Sequence, residues 1–270
     1  MITKTKAIVL KAARFRDTSK IITLYTEKFG KLKGLAKGAR TLKSKFGAAL
    51  EPITEISLVV YKQDTRDLHL ISQADVLNSY KKTHQDFDKM SISLSVLELL
   101  SQLAHDEDKN KSLYELVRLT LKGIDSAERN LKNYFYAFQL HLSANLGFAP
   151  NFDNCVQCNQ KLEMSGFKSK IIFQISKGGF YCSNCADNVS AVNYTAAEYG
   201  RTQNISMSLV VGKTLRLLYN FNLDGLPSLF LLPAIGNEIT NIVRLFLKYH
   251  FSDLRPLKSE SLMMSIHQIK

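Results

Sequence analysis

KIITLYTEKFGKLKGLA, residues 20–36, contains two short runs of β-branched and apolar residues, at 21–25 and 32–36, on either side of Gly30. Branched side chains fit a pleated surface, and a glycine between two such runs favours a tight turn. The sequence therefore predicts a β-hairpin here.

Three similar runs flank the hairpin, at residues 7–10, 53–60 and 68–76. Five short strands, which we expect to pair antiparallel, can close on themselves as a small barrel. An oligonucleotide-binding (OB) barrel has this strand count. The pattern leaves an SH3-like barrel open as the alternative.

The apolar period becomes helical from about residue 83, where Met90, Leu94 and Leu97 recur at helical spacing. A second helix is predicted to start at Ser112, with Glu115 completing a capping box. Further helices are predicted over 131–146, 209–219 and 235–249.

The predicted fold class is α+β and multidomain, with a five-stranded OB-type barrel followed by a helical domain into which a four-cysteine zinc module is inserted. The expected domains are an OB-fold nucleic-acid-binding domain (1–80), a helical domain in two parts (81–150 and 191–255), the zinc module (151–190) and a C-terminal tail (256–270).

Positive charge is concentrated in the first 47 residues. Thirteen lysines and arginines stand there against Asp17 and Glu27 alone, whereas the whole chain has 36 basic and 24 acidic residues and a net charge of +12. Such a field attracts polyanions and weakens with salt. A solubilising surface or a disordered arm is the alternative, but the basic residues alternate with strand-like apolar ones.

Aromatic residues are interleaved with this charge: Phe15, Tyr25, Phe29 and Phe46. Single-strand binders combine cations that follow the phosphates with aromatic faces that receive bases. The same aromatic residues would equally suit a barrel core. The pattern gives no indication of base-specific recognition.

The four cysteines of the chain form two CxxC pairs, Cys155 with Cys158 and Cys182 with Cys185, separated by 23 residues. Two such knuckles can present four thiolates to one tetrahedral ion. We therefore predict one structural Zn²⁺, and a redox pair or a catalytic zinc is the alternative.

No catalytic motif is apparent, and the six histidines are scattered without ligand spacing. The apolar runs are shorter than the ~18 residues of a membrane span, and the first residues do not have the form of a secretory signal. We therefore expect a protein of a reducing cytosol that is not an enzyme.

Five segments of the sequence match a known pattern in order: residues 15–32, 36–40, 50–52, 178–179 and 257–259. On these segments the chain resembles the bacterial DNA repair protein family RecO, in its zinc-containing form. The resemblance extends over nearly the whole chain, and AKGAR at 36–40 is its most specific part.

This resemblance implies a DNA repair and recombination mediator that binds single- and double-stranded DNA and anneals complementary strands. With RecR it would help to load RecA on strands coated by single-stranded-DNA-binding protein. It also implies contact between the helical domain and the C-terminal tail of that coating protein. We expect a cytoplasmic, nucleoid-associated protein with no membrane partner and no small-molecule substrate.

Carried over by position, the phosphate contacts implied by the resemblance are Arg14, Arg16, Lys37, Arg40, Lys43 and Lys45. Lys20, Lys31 and Lys33, from the same basic segment, complete the candidate set. An RNA-binding or ribosome-associated barrel with a zinc ribbon is the alternative function, and a zinc-dependent nucleic-acid hydrolase is a third.

Overall fold

A computed structural model describes residues 2–62, 65–165, 170–193 and 203–259. The described strands are β1 (Ile2–Phe15), β2 (Ser19–Thr26), β3 (Gly30–Ala36), β4 (Glu55–Tyr61), β5 (Leu68–Asn78), β6 (Lys170–Gln174), β7 (Gly179–Phe180), β8 (Val192–Asn193) and β9 (Asn204–Ser208). The described helices are α1 (Lys81–Gln85), α2 (Phe87–Leu103), α3 (Lys111–Ser126), α4 (Lys132–Asn145), α5 (Ser183–Ala186), α6 (Leu209–Asn220) and α7 (Pro233–His250).

The first five strands close into a barrel in the order β1-β2-β3-β5-β4, and β4 pairs with β1. This confirms the predicted OB-type barrel followed by helices. The expectation that all strands pair antiparallel was wrong, because β3 and β5 run parallel, with Lys33 opposite Leu68. Strand directions cannot alternate around a closed ring of five, so one pairing has to be parallel.

The barrel interior is filled by alternate residues of each strand, since successive side chains point to opposite faces. In β3, Leu32 and Ala36 are buried whereas Lys33 is exposed. The core contains Ala7, Val9, Ile22, Leu24, Leu32, Ala36, Phe46, Ala49, Leu50, Ile56, Leu58, Val60, Ile71 and Ala74.

Helices α1, α2 and α3 belong to the same compact unit as the barrel, which comprises residues 2–126 and 256–259 of the described chain. The start of α3 corrects the predicted capping box. Asn110 Oδ1 accepts a hydrogen bond from the Leu113 amide (2.9 Å), so the helix is capped by Asn110, two residues before the predicted cap at Ser112. Glu115 instead accepts hydrogen bonds from Arg118 at 2.7 and 2.9 Å.

The second compact unit lies within Ala127–Arg255. It contains α4, α6 and α7 together with a sheet in the order β7-β6-β9-β8. The end of α4 follows the sequence signal, because Gly147 adopts a φ of +95° just beyond the helix.

The two compact units are groups of residues that pack together. They do not test the functional domains predicted from the sequence, which stay predictions. Residues 260–270 of the expected C-terminal tail lie outside the described residues. No helix in the described ranges combines the length and the apolar character that crossing a bilayer requires.

Candidate nucleic-acid interface and cysteine cluster

Strand register brings candidate phosphate contacts together at one end of the barrel. Arg14 on β1 is opposite Lys20 on β2, and Lys20 is opposite Ala36, the last residue of β3. Arg16 follows β1 directly and Lys37 follows β3. The cations on or next to these three strands therefore lie at the same end of the barrel.

The loop that follows β3 is tied to the β1–β2 turn by Arg40. The backbone amide of Arg40 donates to the Thr18 carbonyl (2.9 Å), and its Nη1 donates to the carbonyls of Arg16 and Asp17 (3.1 Å each). Two segments distant in sequence thus form one surface.

Most of the predicted cations are exposed on this unit. The exposed members of the set are Arg14, Arg16, Lys33, Lys37, Arg40, Lys43 and Lys45. We call Arg14, Arg16, Lys37, Arg40, Lys43 and Lys45 the basic end of the barrel. No carboxylate occurs in the sequence between Glu27 and Glu51. The loop over residues 37–46, which we call the basic loop, therefore carries no acidic residue of its own.

Two candidates form ion pairs with carboxylates within the protein. Lys20 Nζ lies 2.8 Å from Glu51 Oε1. Lys31 Nζ lies 3.1 Å from Asp106 Oδ1 and donates to the Ser101 carbonyl at 3.0 Å. A phosphate would have to compete with these partners. Lys20 and Lys31 are therefore less available to DNA than the residues of the basic end.

The aromatic residues divide between core and surface. Tyr25 and Phe46 are buried, and burial raises the pKa of the Tyr25 hydroxyl, with Asp108 adding to the rise. Phe15 is half-buried, with the Arg16 guanidinium 5.2 Å from its ring centroid. Phe29 is partly buried against the barrel core. The interpretation as core residues therefore holds for Tyr25 and Phe46.

An acidic loop between α2 and α3 lies across the barrel. Glu107 accepts from Lys62 at 2.8 Å and contacts His69 Nε2 at 2.8 Å, and its amide donates to the Lys31 carbonyl. The hydrogen bond from Lys62 lowers the pKa of Glu107, burial opposes this, and His69 adds to the lowering. The sequence predicts a loop at 106–111, but nothing in its pattern indicates what it contacts.

The four cysteines converge in the second unit. Their Sγ atoms all lie within 4.8 Å of one another, and Cys158 Sγ is 3.7 Å from Cys182 Sγ. Cys182 immediately precedes α5 and Cys185 lies within it. Four thiolates bound to Zn²⁺ at ~2.3 Å in a tetrahedron are separated by about 3.8 Å. The cluster is compatible with a single zinc site.

Glycine allows the two knuckles to approach. A Cβ on Gly179 would lie 2.4 Å from the Asn151 carbonyl oxygen and 2.6 Å from Val156 Cγ1. The Val156 amide donates to the Phe180 carbonyl, which fixes the first knuckle against β7. The close approach explains why a glycine precedes the second cysteine pair.

The thiols of the cluster differ in how readily they ionise. Burial opposes ionisation of Cys155, but N–H donors of Cys158, Cys182 and Gln157 together lower its pKa to about 6. The hydrogen bond with Cys182 is the main cause that raises the pKa of Cys185 to about 12. Four adjacent thiols cannot all ionise without a cation, and a bound divalent ion would supply that charge.

Family models match nearly the whole chain. The model described as "Recombination protein O N terminal" matches residues 1–80, and "Recombination protein O C terminal" matches residues 84–260.

Individual relatives give the same result. A DNA repair protein RecO of Chloroherpeton thalassium is 31% identical over 264 residues, which cover 97% of this chain and 98% of the relative. The protein of the same name from Salinibacter ruber is 29% identical over 269 residues, covering 100% and 96%. That of Chlorobaculum parvum is 35% identical over 185 residues, covering 67% and 70%.

Proposed function

Because the chain belongs to the RecO family of DNA repair proteins, we propose that it is a recombination mediator that binds single- and double-stranded DNA and anneals complementary strands. With RecR it helps to load RecA on DNA coated by single-stranded-DNA-binding protein. In this function it binds the C-terminal tail of the coating protein through its helical domain. It acts without catalysing a reaction, in the cytoplasm and at the nucleoid.

The observation that carries this proposal is the basic end of the barrel. Arg14, Arg16 and Lys37 are placed there by strand register, and Arg40 ties the loop to the turn. Cations in such an arrangement neutralise phosphates and release counterions. Two strands of like charge can then approach closely enough to pair.

The proposed contacts have unequal roles. The exposed residues of the basic end make the main phosphate contacts, and Lys33 extends the surface along β3. Lys20 and Lys31 contribute less, because Glu51 and Asp106 already neutralise them. An RNA-binding function would use the same charges but would also need contacts to the 2′-hydroxyl.

We propose further that Cys155, Cys158, Cys182 and Cys185 hold one structural Zn²⁺. The donor set supports this, since four thiolates fill a tetrahedral ion and leave no coordination position for water or substrate. When bound, the ion crosslinks the two knuckles that flank β6 and β7. The cysteines orient one another through N–H···S bonds, such as that from the Cys182 amide to Cys155 (3.2 Å).

A triple charge reversal tests the function. Arg14→Glu, Lys37→Glu and Lys43→Glu together change exposed side chains of the basic end. The matched control reverses three exposed lysines elsewhere, Lys122, Lys132 and Lys213, with the same change in net charge.

We expect the first variant to lose annealing of complementary strands, both bare and coated by single-stranded-DNA-binding protein, while keeping the wild-type circular dichroism spectrum. The control variant should anneal nearly as the wild type does. Equal annealing by all three proteins would refute the proposed interface.

A further inference from the structure

The tip of the basic loop carries an apolar side chain. Leu42 is fully exposed (107%), more than any other large hydrophobic residue among those described; Phe230 follows at 72%. Lys43 follows it directly, and Arg40 and Lys45 lie within three residues of it. A single exposed leucine is ordinary on a protein surface, but this one is flanked in the sequence by proposed phosphate contacts on both sides.

The loop holds Leu42 at its apex by consecutive turns. The Thr41 amide and hydroxyl both donate to the Gly38 carbonyl, at 3.2 and 2.9 Å. The Ser44 amide donates to the Thr41 carbonyl at 3.0 Å. Leu42 and Lys43 are the central residues of this second turn, so their side chains project from the loop.

Both ends of the loop are anchored to the barrel. At one end, Arg40 is bonded to the β1–β2 turn. At the other, Phe46 is buried in the barrel core, and its amide donates to Ser44 Oγ at 3.3 Å. Because the loop is fixed at both ends, the fold itself holds Leu42 in its exposed position.

We propose that Leu42 inserts between neighbouring bases of bound DNA and unstacks them, an inference that rests on the proposed DNA-binding function. An apolar wedge flanked by cations is a combination that DNA-bending proteins use: the cations hold the backbone while the wedge separates a base step. The aromatic residues Tyr25 and Phe46 are buried and cannot serve this purpose.

This contact also gives the loop a role in annealing. Unstacked bases expose their pairing edges to a second strand, so Leu42 prepares a strand for pairing while the basic residues reduce the repulsion. The ligand is any DNA strand with a stacked step, without regard to sequence, because a leucine side chain offers no hydrogen bond to a base edge.

The test uses full-length protein and a single-stranded oligonucleotide with a central 2-aminopurine, whose fluorescence rises when it is unstacked. Binding is followed separately by anisotropy of an end label. The variants are Leu42→Gln, which keeps the turn but removes the apolar tip, and Leu42→Phe, which keeps an apolar wedge. Leu77→Gln is the matched control, since Leu77 is an exposed leucine on β5.

We expect wild type, Leu42→Phe and Leu77→Gln to raise the 2-aminopurine fluorescence at saturation by about twofold or more. Leu42→Gln should lose most of this rise while its Kd changes by less than about threefold, because the phosphate contacts remain. Binding without a fluorescence rise in the wild type, or an equal rise in Leu42→Gln, would overturn the wedge alone. Absence of DNA binding by the wild type would overturn the proposed function as well.

Discussion

Gly30, the first residue of β3, is required because the backbone of the acidic loop passes close to it. Its φ is +66°, and a Cβ there would lie 1.9 Å from the Asp108 carbonyl oxygen. Gly38 has a similar φ of +71° with no atom within 4 Å of the Cβ position. A side chain at Gly38 would therefore cause backbone strain alone, whereas a side chain at Gly30 would cause the same strain and also a steric clash with the acidic loop.

We predict that Gly38→Ala lowers the free energy of unfolding by about 1–2 kcal/mol, the cost of a left-handed alanine. Gly30→Ala should cost a further ~1–3 kcal/mol, because the acidic loop has to move. Urea denaturation of the two variants measures the difference, and equal losses would contradict the contact with Asp108.

Glu107 makes the anchoring of the acidic loop sensitive to acid. Its pKa in the folded protein is lowered, chiefly by the hydrogen bond from Lys62. Its contribution to stability is therefore complete above the unfolded pKa of about 4.3 and is lost as the pH falls through the lower folded value.

Glu107→Gln should accordingly destabilise the protein at neutral pH, and the difference from wild type should shrink as the pH falls below about 4. Urea midpoints of both proteins at several pH values check this. A difference that stays constant with pH would show that the charge of Glu107 contributes nothing.

At the start of α3, the hydrogen bond from the Leu113 amide to Asn110 can be tested by mutation; the capping-box pattern did not identify it. Asn110→Ala removes the acceptor for the Leu113 amide and should cost about 1 kcal/mol. Ser112→Ala is the control and should change the unfolding free energy by less than ~0.5 kcal/mol. The reverse order, measured by denaturant titration, would restore Ser112 as the cap.

The cysteine cluster should stabilise its own unit. Removal of zinc by a chelator, or Cys155→Ser, is expected to increase hydrogen exchange in β6, β7 and α5 because the two knuckles lose their crosslink. Exchange in the barrel strands should stay unchanged. Zinc added back should restore protection in the wild type but not in the variant, and protection unaffected by the chelator would contradict a structural metal.

Element by element, local patterns predicted more than long-range contacts. The hairpin around Gly30 and the end of α4 at Gly147 follow from short-range rules, and the convergence of the two CxxC knuckles follows from the ligand count and geometry of a tetrahedral metal site. Sequence periodicity carries no information on which strands become neighbours, so the parallel contact of β3 with β5 was missed. For the same reason it could not place the acidic loop on Lys31, Lys62 and His69.

The sequence predicted which residue types form the candidate site, but not which of these side chains are exposed and which are paired within the protein. The excess of lysine and arginine indicated a polyanion surface. Whether a given cation is exposed, as Lys37 is, or paired, as Lys31 is with Asp106, depends on elements distant in sequence. Leu42 was missed because an exposed leucine is indistinguishable from a core leucine in the sequence.

At the scale of the whole molecule, the proposed DNA binding depends on positive charge concentrated at one end of the barrel. If about five cations contact a single strand, the logarithm of the binding constant should fall against the logarithm of salt concentration with a slope of roughly −3.5. The remainder of the chain is nearly balanced in charge and should contribute little to this slope.

The most direct measurement is therefore the salt dependence of single-strand binding by the wild type and by Arg14→Gln, Lys37→Gln, Lys43→Gln in one variant. Loss of three phosphate contacts should make the slope shallower by about 2, from roughly −3.5 towards −1.4. A variant slope equal to that of the wild type would contradict the assignment of the basic end of the barrel as the DNA-binding surface.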